Sequence, residues 1–227
     1  MTDATTAKLS EIDREERKRL EREHKQAKRA AKAAELSKWG SLPPPSKPLE
    51  DFGKIPRLTR ACVITEKLDG TNASIFIGED GEFLTGSRTQ WITPLTDNFG
   101  FALWAQEHKD ELLQLGPGHH FGEWWGRGIQ RGYGLTEKRF SLFNVGRWNA
   151  ETPPPTCCHV VPTLYADAFD TAEIMRCLSQ LAALGSQAAS GFMKPEGIVI
   201  YHTAARQLFK KTIEDDEVPK ALAKATP

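Results

Sequence analysis

The chain is short of cysteine, carries no net charge and has no long apolar run, and each shortage narrows what it can be. Its 227 residues include only four cysteines, Cys62, Cys157, Cys158 and Cys177. None stands in a Cys-x-x-Cys or other zinc spacing, which argues against a zinc module. The vicinal pair Cys157-Cys158 beside His159 reads as two ordinary thiols near the start of a strand. No apolar stretch approaches the ~18 residues of a membrane span and no signal peptide is present. The expectation is an intracellular, cytoplasmic protein with reduced thiols and no membrane partner. Lys plus Arg balance Asp plus Glu at 30 each, which argues against a surface that coats polyanions as a whole.

The zero balance hides an asymmetry. Residues 1–40 carry 11 Lys/Arg against 8 Asp/Glu, and the remainder carries 19 against 22. From Arg17 to Lys32, eight Lys/Arg face two Glu. Ser10 to Lys38 predicts a long helix, with Ser10 and Asp13 near its start and Gly40 just past its end. Leu9, Ile12, Leu20 and Leu36 are too sparse for a coiled coil. Two readings remain, a solvated charged helix or a basic arm that lies along a nucleic-acid backbone. Trp39-Gly40-Ser41-Leu42-Pro43-Pro44-Pro45 then divides the chain into a charged helical arm (1–40), a Pro-rich linker (41–50) and a folded domain (51–227).

Within that domain short β-like runs alternate with turn signals. Strands are expected at Val63–Glu66, Ala73–Ile77, Glu82–Ser87, His120–Trp124, Phe140–Val145, Gly197–His202 and Gln207–Thr212, with Glu79-Asp80-Gly81 turning the first hairpin. Helices are expected at Asp97–Leu115, ending at Gly116, and at Asp170–Leu184, ending at Gly185. Ile174, Cys177, Leu178 and Leu181 give the second helix a buried face. Thr152-Pro153-Pro154-Pro155 reads as a stiff exposed loop. The pattern is α+β, mainly antiparallel strands with helices packed outside, and not alternating βαβ.

The chemistry concentrates in Thr65-Glu66-Lys67-Leu68-Asp69-Gly70-Thr71-Asn72, where a strand turns sharply beside a lysine. A lysine becomes a nucleophile only after losing its proton, which desolvation or nearby cations promote. Asp69 supplies a polar anchor and Gly70 a backbone free to turn with φ > 0. Ser87-Arg88, Phe121-Gly122-Glu123-Trp124, Ser141-Leu142-Phe143, Pro195-Glu196-Gly197-Ile198-Val199-Ile200 and Phe209-Lys210-Lys211 follow in order. Together they suit a nucleotide: Lys67 to attack phosphorus, Arg88 and Lys210 to neutralise phosphate, Glu123 to accept from a ribose hydroxyl, Phe143 to stack on a base, and Glu196 to hold a hard cation through oxygen. Trp124, Trp125, Arg127, Gln130 and Arg131 are candidates for contacts to a polynucleotide.

On these residues the chain resembles the covalent nucleotidyltransferases, the superfamily of ATP-dependent polynucleotide ligases and capping enzymes, and within it RNA ligases of the T4 RNA ligase 2 type and their small phage-encoded relatives. The resemblance runs from about Phe52 to Lys220. Lys67-Leu68-Asp69-Gly70 is similar to motif I, whose lysine carries the adenylate, Gly122-Glu123 to motif III, Phe143 to the stacking aromatic of motif IIIa, Glu196-Gly197-Ile198-Val199 to motif IV and Lys210 to the first lysine of motif V. The resemblance implies an antiparallel-sheet adenylation domain with peripheral helices, ATP and Mg2+ or Mn2+ as cofactors, and a nucleic-acid partner, RNA before DNA. The implied nucleotide site comprises Glu66, Asp69, Gly70, Asn72, Arg88, Glu123, Phe143, Lys210 and Lys211 around Lys67, with Glu196 toward the metal and Arg127 and Arg131 toward nucleic acid.

Two features depart from the family pattern. Motif V is usually Lys-x-Lys on one strand face, whereas Lys210-Lys211-Thr212 puts a threonine at the second same-face position. Fifteen residues follow Thr212, fewer than an OB-fold or a helical nucleic-acid-binding domain needs. The implied reaction is joining of 5′-phosphate and 3′-hydroxyl ends through lysyl-AMP, as in RNA repair. The alternatives are a DNA-nick ligase, a GTP-using capping enzyme, or a nucleotide- or nucleic-acid-binding protein that has kept the fold and lost ligation.

Overall fold

A computed structural model describes residues 3–37, 47–97, 99–214 and 216. The expected helix end at Lys38 and the division from Trp39 to Pro45 fall outside the described residues. Two compact units are present, residues 1–54 and 55–227. The first contains helix α1, Asp3–Ser37. It starts at Asp3 rather than Ser10 because Ala4, Ala7 and Lys8 are good helix formers, while Thr5 and Thr6 cost only tenths of a kcal/mol each. Every side chain from Lys18 to Ser37 is exposed, as so few apolar residues dictate.

The second unit is α+β. Strands β1 (Ala61–Lys67), β8 (Thr163–Ala168), β9 (Gly197–His202) and β10 (Gln207–Thr212) form one antiparallel sheet in the order β10-β9-β1-β8. Strands β2 (Thr71–Ile77), β3 (Phe83–Gly86), β4 (Trp91–Ile92), β5 (Gly118–Gly126), β6 (Lys138–Leu142) and β7 (Cys158–Val160) form the other, in the order β4-β3-β2-β5-β6-β7. Its one departure from the antiparallel expectation is β7, which runs parallel to β6.

Each sheet buries one face under helices. Cys62 and Ile64 of β1 and Ile198 and Ile200 of β9 pack with Cys177, Leu178 and Leu181 of helix α4 (Thr171–Leu184). Asp170 caps α4 by accepting from the Ala172 N–H at 2.8 Å, and Gly185, at φ 83°, ends it. Ala73, Ile75 and Ile77 of β2, with Trp124, Phe140 and Leu142, pack with Phe101, Ala102 and Ala105 of α2 (Phe101–Glu107) and Leu112 of α3 (Lys109–Leu112). The single helix expected over Asp97–Leu115 is therefore two. Asp97 accepts from the N–H groups of Phe99 and Ala102 at 2.9 and 2.6 Å, which delays the start. At His108 the backbone leaves helical geometry (φ −106°, ψ 17°).

A third, smaller core of Leu68, Trp125, Tyr133, Val161 and Ala189 lies beneath the turn from β1 into β2. There the chain passes from one sheet to the other. The opposite, helix-free faces of the two sheets carry the candidate site.

Candidate active site

Alternation along β1 separates two adjacent acidic and basic side chains. Cys62, Ile64 and Glu66 point to the α4 side, and Val63, Thr65 and Lys67 point to the other. The buried Glu66 carboxylate accepts from Ser186 Oγ at 2.6 Å and from the N–H groups of Gln187 and Ala188 at 2.8 and 3.0 Å. Desolvation pushes its carboxyl above the ordinary value, and those three donors pull the other way. Glu66, expected beside the nucleotide, thus spends its side chain on the segment that connects α4 to β9. Neither Ser186 nor that segment is marked by any motif in the sequence.

Lys67 is one-fifth exposed, and its Nζ donates to Glu196 Oε2 at 2.6 Å. Glu196, 2% exposed, sits one residue before β9, and its carbonyl accepts from the Ile213 N–H at 3.0 Å. Gly197 follows at φ 155°, and a Cβ there would collide with the Lys211 carbonyl and with Thr212 Cα. The sequence Glu196-Gly197 therefore lets β10 close tightly against β9 while the carboxylate turns toward the lysine.

Strand register decides the role of each motif V side chain. Thr212, Gly197 and Lys67 form one cross-strand row, Lys211, Ile198 and Glu66 the next, and Lys210, Val199 and Thr65 a third. Directly paired residues share a face. Lys210 and Thr212 therefore lie on the face of Lys67. Lys211, expected as a nucleotide contact, lies on the opposite face, and its Nζ pairs with Asp216 at 2.9 Å. It does not substitute for the missing second lysine.

Across the turn, Glu123 of β5 accepts from the Gly70 N–H at 3.0 Å and from the Asn72 side-chain amide at 3.3 Å. Burial pushes its carboxyl up to about 7. Lys67 and the Gly70 N–H oppose that rise, and Glu196 and Asp69 add to it. Gly70 has no positive φ, so the expected conformational reason for a glycine is replaced by a steric one. A Cβ would meet the Trp124 carbonyl, with Trp125 Cβ at 2.7 Å and Glu123 Cγ at 3.0 Å. Any other residue would push the turn between β1 and β2 away from β5.

The loop between β5 and β6 locks the same turn. The Asp69 N–H donates to Tyr133 Oη at 2.8 Å, and the Asp69 carboxylate accepts from Arg131 Nε at 3.1 Å. Arg131 also donates to the Lys194 carbonyl at 2.9 Å and reaches Glu214 at 3.8 Å. Arg131, expected on nucleic acid, is held within the domain and positions Asp69. Nothing local in the sequence sets Tyr133 apart; burial pushes its phenol up. Arg127 is exposed at the start of this loop, where the backbone has φ above 20° at Gly126, Gly128, Gln130, Gly132, Tyr133 and Gly134.

The remaining candidates divide. Phe143 follows β6, is 41% exposed and donates its N–H to the Phe121 carbonyl at 3.0 Å. Arg88 is exposed in the turn closed by Ser87 and Gln90. Trp124 and Trp125 are 2% and 1% exposed and donate to the Phe99 carbonyl and Ser141 Oγ. They are core residues, so the expected stacking on a polynucleotide does not involve them. Cys157 and Cys158 are free thiols with sulfurs 3.9 Å apart, and burial pushes both up.

The donor set around Lys67 consists of hard carboxylate oxygens. Among the described residues no group of three or more His, Cys, Asp and Glu could hold a metal ion. This suits Mg2+ or Mn2+ that arrives with phosphate oxygens and keeps its waters, with Glu196 as a protein-side ligand.

Lys67 thus contacts one buried carboxylate, lies near a second, Glu123, and shares its face with Lys210. Residues 60–225 match the family described as RNA ligase, and the chain belongs to that family. Among solved structures, a point mutant of Naegleria gruberi RNA ligase with ATP and Mn is 20% identical at a TM-score of 0.51, covering 74% of this chain and 52% of that one. Another mutant of that ligase with ATP and Mn is 21% identical at a TM-score of 0.48, over 67% and 48%. The former likeness shows the fold. The chain spans about half the length of these solved chains. No curated protein matches it. Among the described residues no helix is long and apolar enough to cross a membrane.

Proposed function

We propose that this protein is an ATP-dependent RNA ligase of the T4 RNA ligase 2 type that carries AMP on Lys67. The observation behind this reading is the 2.6 Å contact of Lys67 Nζ with Glu196, near Glu123 and on the face that bears Lys210. Membership of the RNA ligase family supports the substrate class.

In the first step Lys67 Nζ, after giving up a proton, attacks the α-phosphorus of ATP. The new N–P bond replaces the bond to the β-phosphate oxygen, and pyrophosphate leaves with that electron pair. In the second, a 5′-phosphate oxygen of the polynucleotide attacks the same phosphorus, the N–P bond breaks and Lys67 takes back a proton. In the third, a 3′-hydroxyl attacks the activated 5′-phosphorus and AMP departs. Glu196 orients the amine and is placed to accept its proton; Lys210 and Arg88 meet phosphate charge; Phe143 stacks on the base. Mg2+ or Mn2+ bound with the triphosphate supplies charge neutralisation.

The test is incubation with α-labelled ATP or GTP followed by a denaturing gel, then a 5′-phosphorylated RNA or nicked DNA substrate. Label from ATP that stays on the polypeptide, and transfers to RNA ends, supports the reading. Label from GTP alone, or binding without covalent label, overturns it.

A further inference from the structure

The face of the second sheet that bears Glu123 continues outward as a row of exposed rings. Asn72 pairs with Glu123, Ser74 with Phe121 and Phe76 with His119, so all six share a face. Trp91 of β4 joins them. It pairs with Gly86, and its indole lies across that glycine, 3.2 Å from where a Cβ would stand. Trp91 and His119 stack at 5.5 Å between centroids with planes 30° apart. His119 lies 4.0 Å from Phe121 and 6.0 Å from Phe76. Phe143, the expected base-stacking ring, is joined to Phe121 through its backbone N–H.

Cross-strand ring pairs stabilise sheets by covering one another. Here Trp91 stays 53% and Phe121 54% exposed, although buried positions on the opposite face take Trp124 and Phe140 of the same sheet. The rings thus form an exposed shelf that begins one residue pair beyond Glu123. Exposed Arg88 stands three residues before Trp91 in the turn between β3 and β4. His119 packs between Trp91 and Phe121, and the half-exposed rings at the two ends, with Arg88 in the adjoining turn, match unpaired nucleobases on a phosphate backbone, since a ring face can take a base of any identity.

We propose that Trp91, His119 and Phe121 form a stacking platform for the unpaired bases of the polynucleotide substrate. The platform rests on the ligase reading for its occupant but not for its geometry. It makes binding depend on strands whose bases are splayed out, with little preference among sequences.

The experiment measures affinity for a fluorescein-labelled single-stranded oligoribonucleotide, alongside self-adenylylation, in the full chain and in Trp91→Leu, Trp91→Phe and Phe121→Leu. Loss of one stacked base should weaken RNA binding by roughly tenfold. Trp91→Leu and Phe121→Leu are expected to show that loss with adenylylation unchanged, and Trp91→Phe to retain most of the affinity. Unchanged affinity in both leucine variants overturns the platform. So does equal weakening by Phe and Leu at position 91, or a wild-type dimer that Trp91→Leu dissolves. A wild-type chain that binds RNA in this ring-dependent way but takes no label from ATP leaves the platform standing and removes the ligase reading; one that takes label but does not bind RNA does the reverse.

Discussion

Glu66 and Lys67 are neighbours in β1 and serve opposite faces of it. Glu66 anchors the segment from Ser186 to Ala188 on the α4 side, while Lys67 meets Glu196 on the open side. Both contacts bracket the same stretch of chain, because Ser186 follows α4 and Glu196 precedes β9. Strand β1 is thus tied on both faces beside Lys67. Glu66→Gln would present an amide donor to one or more of three existing donors. The expected cost is about 1–3 kcal/mol, the penalty for a buried polar group left unsatisfied, read as a lower urea midpoint at unchanged slope.

Gly70→Ala tests the approach of the turn between β1 and β2 to β5. Its Cβ would meet the Trp124 carbonyl and two side-chain stems, and only one of those three is mobile at its far end. Overpacking of this kind costs about 1–3 kcal/mol or more. Urea denaturation should show the loss, with adenylylation falling as well because Glu123 sits at the same contact. Wild-type stability in Gly70→Ala would mean that the turn opens freely.

Glu123 predicts a pH dependence. Its folded-state carboxyl is raised to about 7 from 4.5. The protonated form is thus favoured by folding, and that contribution is complete below about pH 4.5 and lost as pH rises through 7. The wild type should lose up to about 3 kcal/mol relative to Glu123→Gln between pH 5 and 8. Urea midpoints of the two proteins at both pH values measure it. Parallel pH curves would place the carboxyl near its ordinary value.

Strands β1, β2 and β9 are legible because each pairs an apolar alternation or run with a turn signal. Strand β4 is not, since two residues carry no period and exist only through pairing with Thr85 and Gly86. Strand β7 depends on a parallel partner far away in the sequence. Strand β8 has no buried residue, only exposed and half-buried ones, so no hydrophobic pattern marks it. The site shows the same division. Period two alone separates Lys210 from Lys211 once the strand is known. By contrast, Arg131 on Asp69 and Tyr133 beneath it are tertiary contacts of a loop, invisible to any local pattern.

The basic stretch of α1 makes a separate prediction. Eight Lys/Arg against two Glu from Arg17 to Lys32, all exposed wherever described, suit contact with phosphates. Deleting residues 1–38 should leave self-adenylylation nearly intact, weaken RNA binding and reduce the slope of log affinity against log salt by about one per lost contact. An unchanged slope would leave α1 as a solvated helix.

Glu196 and Glu123 should separate under metal titration. Glu196→Ala is expected to regain part of its adenylylation as Mn2+ is raised, whereas Glu123→Ala should bind ATP more weakly without such rescue. Identical responses would dissolve the division between metal-side and sugar-side carboxylates.

The most direct measurement of the account is the covalent label on Lys67. Wild-type protein incubated with α-labelled ATP and Mg2+ should carry AMP through a denaturing gel, and the label should resist base and yield to acid, as a phosphoramide does. Lys67→Ala and Lys67→Arg should carry none, the second because a guanidinium stays protonated, while both keep the wild-type far-ultraviolet circular dichroism and a cooperative urea transition, that of Lys67→Ala at a lower midpoint because Glu196 loses its partner. Undiminished label in Lys67→Ala, or its mapping to another residue, would contradict the assignment of the nucleophile.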